Sequence, residues 1–159
     1  MKILGIDPGI ERLGWAIVEE INGTIVYKKS GTKKTSAKKT TGARLLELFE
    51  FLDDLIKKER PNKAGVEKLF FSTNAKTAII IGEVRGVILT SLEKHAVIIN
   101  DFSPQEIKKL VTGDGGADKK QVARMLSLIL KLPQRTMIDD ETDAIAIAVA
   151  AITKKQPHH

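Results

Sequence analysis

The chain opens on a short apolar run ending in an acid, MKILGID, the pattern of a buried strand whose last side chain emerges at a sheet edge. WAIVEE and TIVYKK follow, parted by Ile21, Asn22 and Gly23. Asn-Gly between two β-rich runs is a hairpin signal, so strands one to three are expected as an antiparallel meander. From Ala43 the period changes to 3.6, with Leu45, Leu48, Phe49, Leu52, Leu55 and Ile56 on one stripe that stops before Pro61. AGVEKLFF reads as a fourth strand, reached through a helical crossover and so parallel to the first. Residues 74–95 form a long helix, apolar on more than one face, which implies burial on both sides or a subunit contact.

AVIIND is a fifth strand, and Ser103-Pro104-Gln105-Glu106 is a capping box with proline at the first helical position, opening a short helix through Leu110. A glycine-rich loop, TGDGGAD, leads into a helix from Lys119 to Leu130. The last helix is DETDAIAIAVAAIT, whose alanines imply close packing on a sheet. A meander followed by alternating helix and strand gives an α/β fold, a mixed five-stranded sheet flanked by helices.

With 159 residues, 42% hydrophobic and 29% charged, the chain has the size and balance of one domain, expected over 1–153 with a tail at 154–159. No apolar run approaches the roughly 20 residues of a membrane helix, and the first ten hold too short a stretch for a signal peptide. The absence of cysteine excludes disulfides and thiolate metal sites and fits a cytoplasmic protein. A net charge of +6 makes a polyanionic partner plausible. Six lysines lie between Lys28 and Lys39 with one aromatic, Tyr27, nearby; a solvated loop explains them as well as a nucleic-acid surface does.

The candidate chemistry lies in the acids. Asp7 ends the first strand and Glu67 sits in the fourth, so parallel neighbours would bring both carboxylates to one cleft. Asp140 and Asp143, at i and i+3, share a face of the last helix and could cover that cleft. Four hard oxygen donors favour Mg²⁺ or Mn²⁺ over Zn²⁺. Each acid also has a structural explanation. Asp7 before Pro-Gly can form a turn, Glu67 can alternate outward while Val66 faces in, and Asp140 can cap the last helix with Glu141 and Asp143 complementing its dipole. Glycines 5, 9 and 14 admit a phosphate cradle like that of sugar kinases, but those proteins need two such domains.

GIDPGIERLGWAIVE, VEKLFFSTNAKTAIIIGEVRGVIL, SPQEIKKLVTGDGGADKKQV and DDETDAIAIAVA together resemble, in order and spacing, the RuvC family of bacterial Holliday junction resolvases. The likeness spans nearly the whole chain apart from residues 28–41 and the tail. It implies an RNase H-like fold and a homodimer, joined through the helix near 74–95, that nicks four-way DNA junctions in symmetric pairs during recombination and repair. It also implies two Mg²⁺ ions, with Mn²⁺ as a substitute, and a RuvA and RuvB branch-migration complex as partner. Position by position, Asp7, Glu67, Asp140 and Asp143 match the family's catalytic, metal-binding acids. Phe70 matches an aromatic that acts on bases near the cut, leaving Phe71 to packing, and Lys108 and Lys119 match basic residues near the scissile strand.

Two departures stand out: Glu83 where glutamine is expected, and Arg12 with Leu13 in place of a small polar pair. Arg12 also brings to mind the YqgF group of RNA-processing nucleases, one alternative; a non-catalytic junction- or RNA-binding module is another. On the leading reading, Asp140 and Asp143 close a four-carboxylate site while Asp139 and Glu141 are replaceable.

Overall fold

Five strands form one sheet in the order β3-β2-β1-β4-β5. The computed structural model describes residues 1–69 and 74–154. β1 (Lys2–Asp7), β2 (Arg12–Ile21) and β3 (Thr24–Lys34) make the expected meander. Its two-residue turn works because Asn22 and Gly23 both take positive φ, 51° and 77°, the twist that a tight hairpin requires. β3 runs on to Lys34, so much of the lysine-rich segment is edge strand, not loop. Strand pairing along its whole length to Arg12 draws it out of solvent.

α1 (Thr41–Glu59) crosses to β4 (Lys63–Glu67), which pairs parallel to β1; α2 (Ala75–Lys94) then crosses to β5 (Ile98–Phe102), parallel to β4. The fourth strand ends at Glu67, earlier than its apolar run indicated, and Phe70 and Phe71 lie outside the described residues. α3 (Pro104–Thr112) carries both halves of its capping box and runs two residues past Leu110 to a left-handed Gly113. α4 (Lys119–Ile129) has a second box, Asp118 with Gln121. α5 (Asp139–Thr153) is the last element, and of the expected tail, residues 155–159 lie outside the described residues.

Both faces of the sheet are covered. Leu4, Ile6, Leu13 and Ile17 pack with α1 and α2, while Ile3, Ala16 and Val18 pack with α3, α4 and α5. The two-residue period therefore sends Asp7, two positions beyond Gly5, to the α5 side. Glu67 shares that side with Gly65, so Val66 faces α1 and α2 while Glu67 faces the other helical layer.

α5 rests unusually close to the strands. A Cβ on Gly5 would lie 2.0 Å from the Ala144 carbonyl oxygen, one on Gly65 2.8 Å from Ile147, and one on Gly14 2.0 Å from the Asp140 carbonyl oxygen. Glycines on three adjacent strands leave the groove, and small side chains at Ala144, Ala148 and Ala151 let the helix enter it. Ile145, Ile147 and Val149 are almost wholly buried, each worth about 1.5–3 kcal/mol of transfer free energy. Among the described residues no helix is long and apolar enough to cross a membrane.

Candidate active site

The register that pairs Gly5 with Gly65 and Ile6 with Val66 sets Asp7 and Glu67 level at the carboxyl edge of neighbouring parallel strands. On the other side of β1, Asp7 pairs with Gly14, the glycine against which the Asp140 backbone is pressed. Close helix docking thus delivers Asp140 and, one turn on, Asp143 to the same edge. The four acids expected from sequence belong to one neighbourhood.

Their electrostatics record the crowding. Burial, then repulsion from Asp143, Glu67 and Asp140, raises the Asp7 pKa to about 8 against a partial offset from Lys119. Burial and Asp143 raise Glu67, with Arg85 and Lys119 opposing. Burial also raises Asp143, opposed chiefly by Lys119. Lys119 stands 3.5 Å from Asp143 and 3.4 Å from Asp139, and its ammonium is held charged by Asp143 first and Asp139 second.

A cleft of about 400 Å³ opens beside Glu67 and Asp143, with Lys108 and Lys119 among its lining and Ile107, Val122 and Ile147 as its apolar wall. Both lysines singled out from sequence therefore stand at the acid edge. Phe70, assigned to DNA by resemblance, lies outside the described residues.

Whether this edge suits a divalent cation can be judged from its atoms. Asp140 Oδ2 is buried without an aligned hydrogen-bond donor, although Arg12 Nε lies 2.8 Å away. Hard oxygens that repel one another and an orphaned buried carboxylate oxygen are the donor chemistry that Mg²⁺ takes. Among the described residues no three such groups stand at ligating distance around one point. Arg12 is drawn to Asp140 and Lys119 to Asp143, so protein cations already engage two of the four carboxylates. The residues fit the ion in kind.

Two sequence expectations fail at the start of α5. Asp140 is not the cap: the helix begins at Asp139 with Ile138 at the N-cap, whose side chain makes no capping bond. Asp140 sits within the first turn, where its charge still complements the helix dipole. Glu141 is not replaceable surface either, being 3% exposed. It accepts from Ser30 Oγ at 2.6 Å and from Arg135 Nη1 at 3.0 Å, with a second, closer bond from Arg135 Nη2. Arg135 and Ser30 hold its carboxyl below the usual range. This clamp ties the helix start to β3 and fixes the flanking pair, Asp140 and Asp143. The signal was present, since Glu141 precedes Ala144, Ile145 and Ala148 at i+3, i+4 and i+7 on the buried stripe.

Arg85 was also missed. It is mostly buried, donates to the Glu67 carbonyl oxygen and sits 3.0 Å from Asp101, bracing the end of β4 from α2. An arginine amid an apolar helix pattern was the available sign.

Comparison with known proteins follows the same lines. The family model for crossover junction endodeoxyribonuclease RuvC matches residues 3–151. A protein of that name from Petrotoga mobilis is 43% identical over 148 residues, 93% of this chain and 91% of its own. Another from Roseiflexus is 39% identical over 148 residues, 93% of this chain and 88% of its own. The structure of Thermus thermophilus RuvC in complex with a Holliday junction substrate superposes with a TM-score of 0.88 at 28% identity, covering 94% of this chain and 92% of the other.

Proposed function

The chain belongs to the RuvC family of crossover junction endodeoxyribonucleases, and from that membership we propose that it resolves four-way DNA junctions by paired hydrolysis at the Asp7 edge. One observation carries the assignment of the site: two strands and α5 converge four acids on one edge, where burial and then mutual repulsion drive Asp7 to about 8. RuvC nucleases are metal-dependent, and Asp7, Glu67, Asp140 and Asp143 are the residues that would hold two Mg²⁺ ions, or Mn²⁺ in their place. When bound, such ions supply an activated water and charge stabilisation for the leaving oxygen.

The chain's own groups do the rest. Lys108 and Lys119 at the cleft neutralise strand phosphates, making binding weaken steeply with salt. The Arg135–Glu141–Ser30 clamp holds the Asp140 and Asp143 pair against the sheet. Phe70, following Glu67 by three positions, acts on bases beside the cut.

Paired cuts require two sites. α2 buries Ala78, Val84, Ile88 and Leu92 within the chain yet leaves Ile79 65% exposed. A groove of about 450 Å³ between α1 and α2 is lined by Leu45, Leu46, Phe49 and Val87. These apolar surfaces are where a second copy packs, so the extra face of α2 serves a homodimer. In the cytoplasm, RuvA and RuvB deliver the junction.

The test is cleavage of a mobile four-way junction with and without Mg²⁺, mapped to the nucleotide, beside linear duplex and a ribosomal RNA precursor. Paired, metal-dependent nicks in the junction alone are expected. Equal cutting of linear duplex, or cutting of RNA only, would overturn the proposal.

A further inference from the structure

Arg12 is the first residue of β2, and the fold aims it at the acid edge. Its backbone is set by pairing and close packing. It opens β2 opposite Lys34, Glu11 beside it accepts from the Thr35 amide at 3.1 Å, and its carbonyl lies where a Cβ on Gly9 would come within 2.3 Å. From that anchor the guanidinium reaches Asp140, Nε to Oδ2 2.8 Å, with the arginine side chain 56% exposed and the aspartate 22%. Yet Oδ2 has no aligned donor, so the contact is charge against charge without a well-formed hydrogen bond. An arginine stays charged at any working pH and cannot withdraw by losing its proton. It therefore competes for the oxygen as a cation across the whole working pH range.

We infer that Arg12 is a built-in counter-cation of Asp140, competing with divalent metal for that carboxylate and setting the metal concentration at which the site loads. The inference rests on the metal reading of the acid edge proposed above. Lys119 plays the corresponding electrostatic part at Asp143, but its pair is longer and more exposed, 3.5 Å with the lysine at 70%. Arg12 is therefore the stronger competitor.

The experiment is calorimetric Mn²⁺ titration of the free, full-length protein without DNA, with melting curves confirming that each variant folds. Arg12→Gln should bind Mn²⁺ about three- to fivefold more tightly, the range of a partly exposed ion pair. Arg12→Lys, which restores the charge, should bring affinity back toward the original. Lys34→Gln removes a charge from the adjoining strand without touching Asp140 and should change affinity less than Arg12→Gln does. Asp140→Asn in the Arg12→Gln background should erase the gain. Equal affinity in the original and Arg12→Gln proteins overturns the inference, as does an equal gain from Lys34→Gln, while leaving the metal reading standing. No Mn²⁺ binding by either protein overturns the metal reading and the inference together.

Discussion

Two carboxylates on opposite layers of the sheet show what separates a satisfied charge from a crowded one. Asp53, on α1, meets Lys57 and His95 at 2.6 Å and Lys94 at 2.9 Å. Those partners, Lys57 first, hold it well below the ordinary carboxylate range. Asp7 faces three other acids in a buried edge and is pushed the other way, to about 8. The first cluster is electrically complete and ties α1 to the end of α2. The second is relieved only in part, by Arg12 at Asp140 and Lys119 at Asp143. Unfavourable electrostatics of this kind persist only where packing over-determines the geometry, as α5 pressed onto glycines does here.

The sharpest way to break the comparison is to neutralise each acid. Asp7→Asn should retain junction binding in a gel-shift assay but cut a labelled junction on the order of a thousandfold more slowly or worse. Asp53→Asn should cut at the original rate when folded. Retained cleavage in Asp7→Asn would remove Asp7 from the chemistry. Next in size is the packing that imposes the crowding. Gly5→Ala puts a methyl 2.0 Å from the Ala144 carbonyl oxygen and should cost about 2–4 kcal/mol in urea unfolding, with cleavage falling as α5 lifts. An unchanged midpoint would mean that the helix is free to shift, and that packing does not force the acids together.

Much of this was legible from residue patterns because the governing signals are local. Asn22-Gly23 specified the hairpin, Ser103 to Glu106 the start of α3, and a short apolar run ending in Asp7 the central strand with its acid at the edge. What stayed hidden depends on partners remote in sequence. β3 extends to Lys34 because β2 is there to pair with it. Ile138 can take the N-cap without a side-chain bond because Glu141 is anchored to Ser30, 111 residues away, and to Arg135. That clamp gives the third test. Glu141→Gln removes the charge that Arg135 and Ser30 clamp and should lose about 1–3 kcal/mol, whereas exposed Asp139→Asn should stay within about 0.5 kcal/mol. Equal losses in denaturant titrations would return Glu141 to the solvated surface.

The smallest effect is the most diagnostic, because the two carboxylates must respond to pH with opposite sign. Asp7 has a folded pKa above its unfolded one, so its contribution is fully present below about 4, where both states are protonated. It is lost as pH rises toward 8, because unfolding then releases a carboxyl that ionises freely in solvent. In chelator, Asp7→Asn should therefore gain melting temperature over the original protein progressively from pH 5 to 8, by a few degrees, and Mg²⁺ should shrink that gain by stabilising the charged edge of the original. Asp53 is depressed, so its contribution exists above its unfolded pKa and disappears as pH falls through the folded value. Asp53→Asn should melt below the original near neutrality and converge with it in acid. Parallel profiles for the two variants would show that both acids are compensated alike, and the acid edge would then hold no unmet demand for a cation.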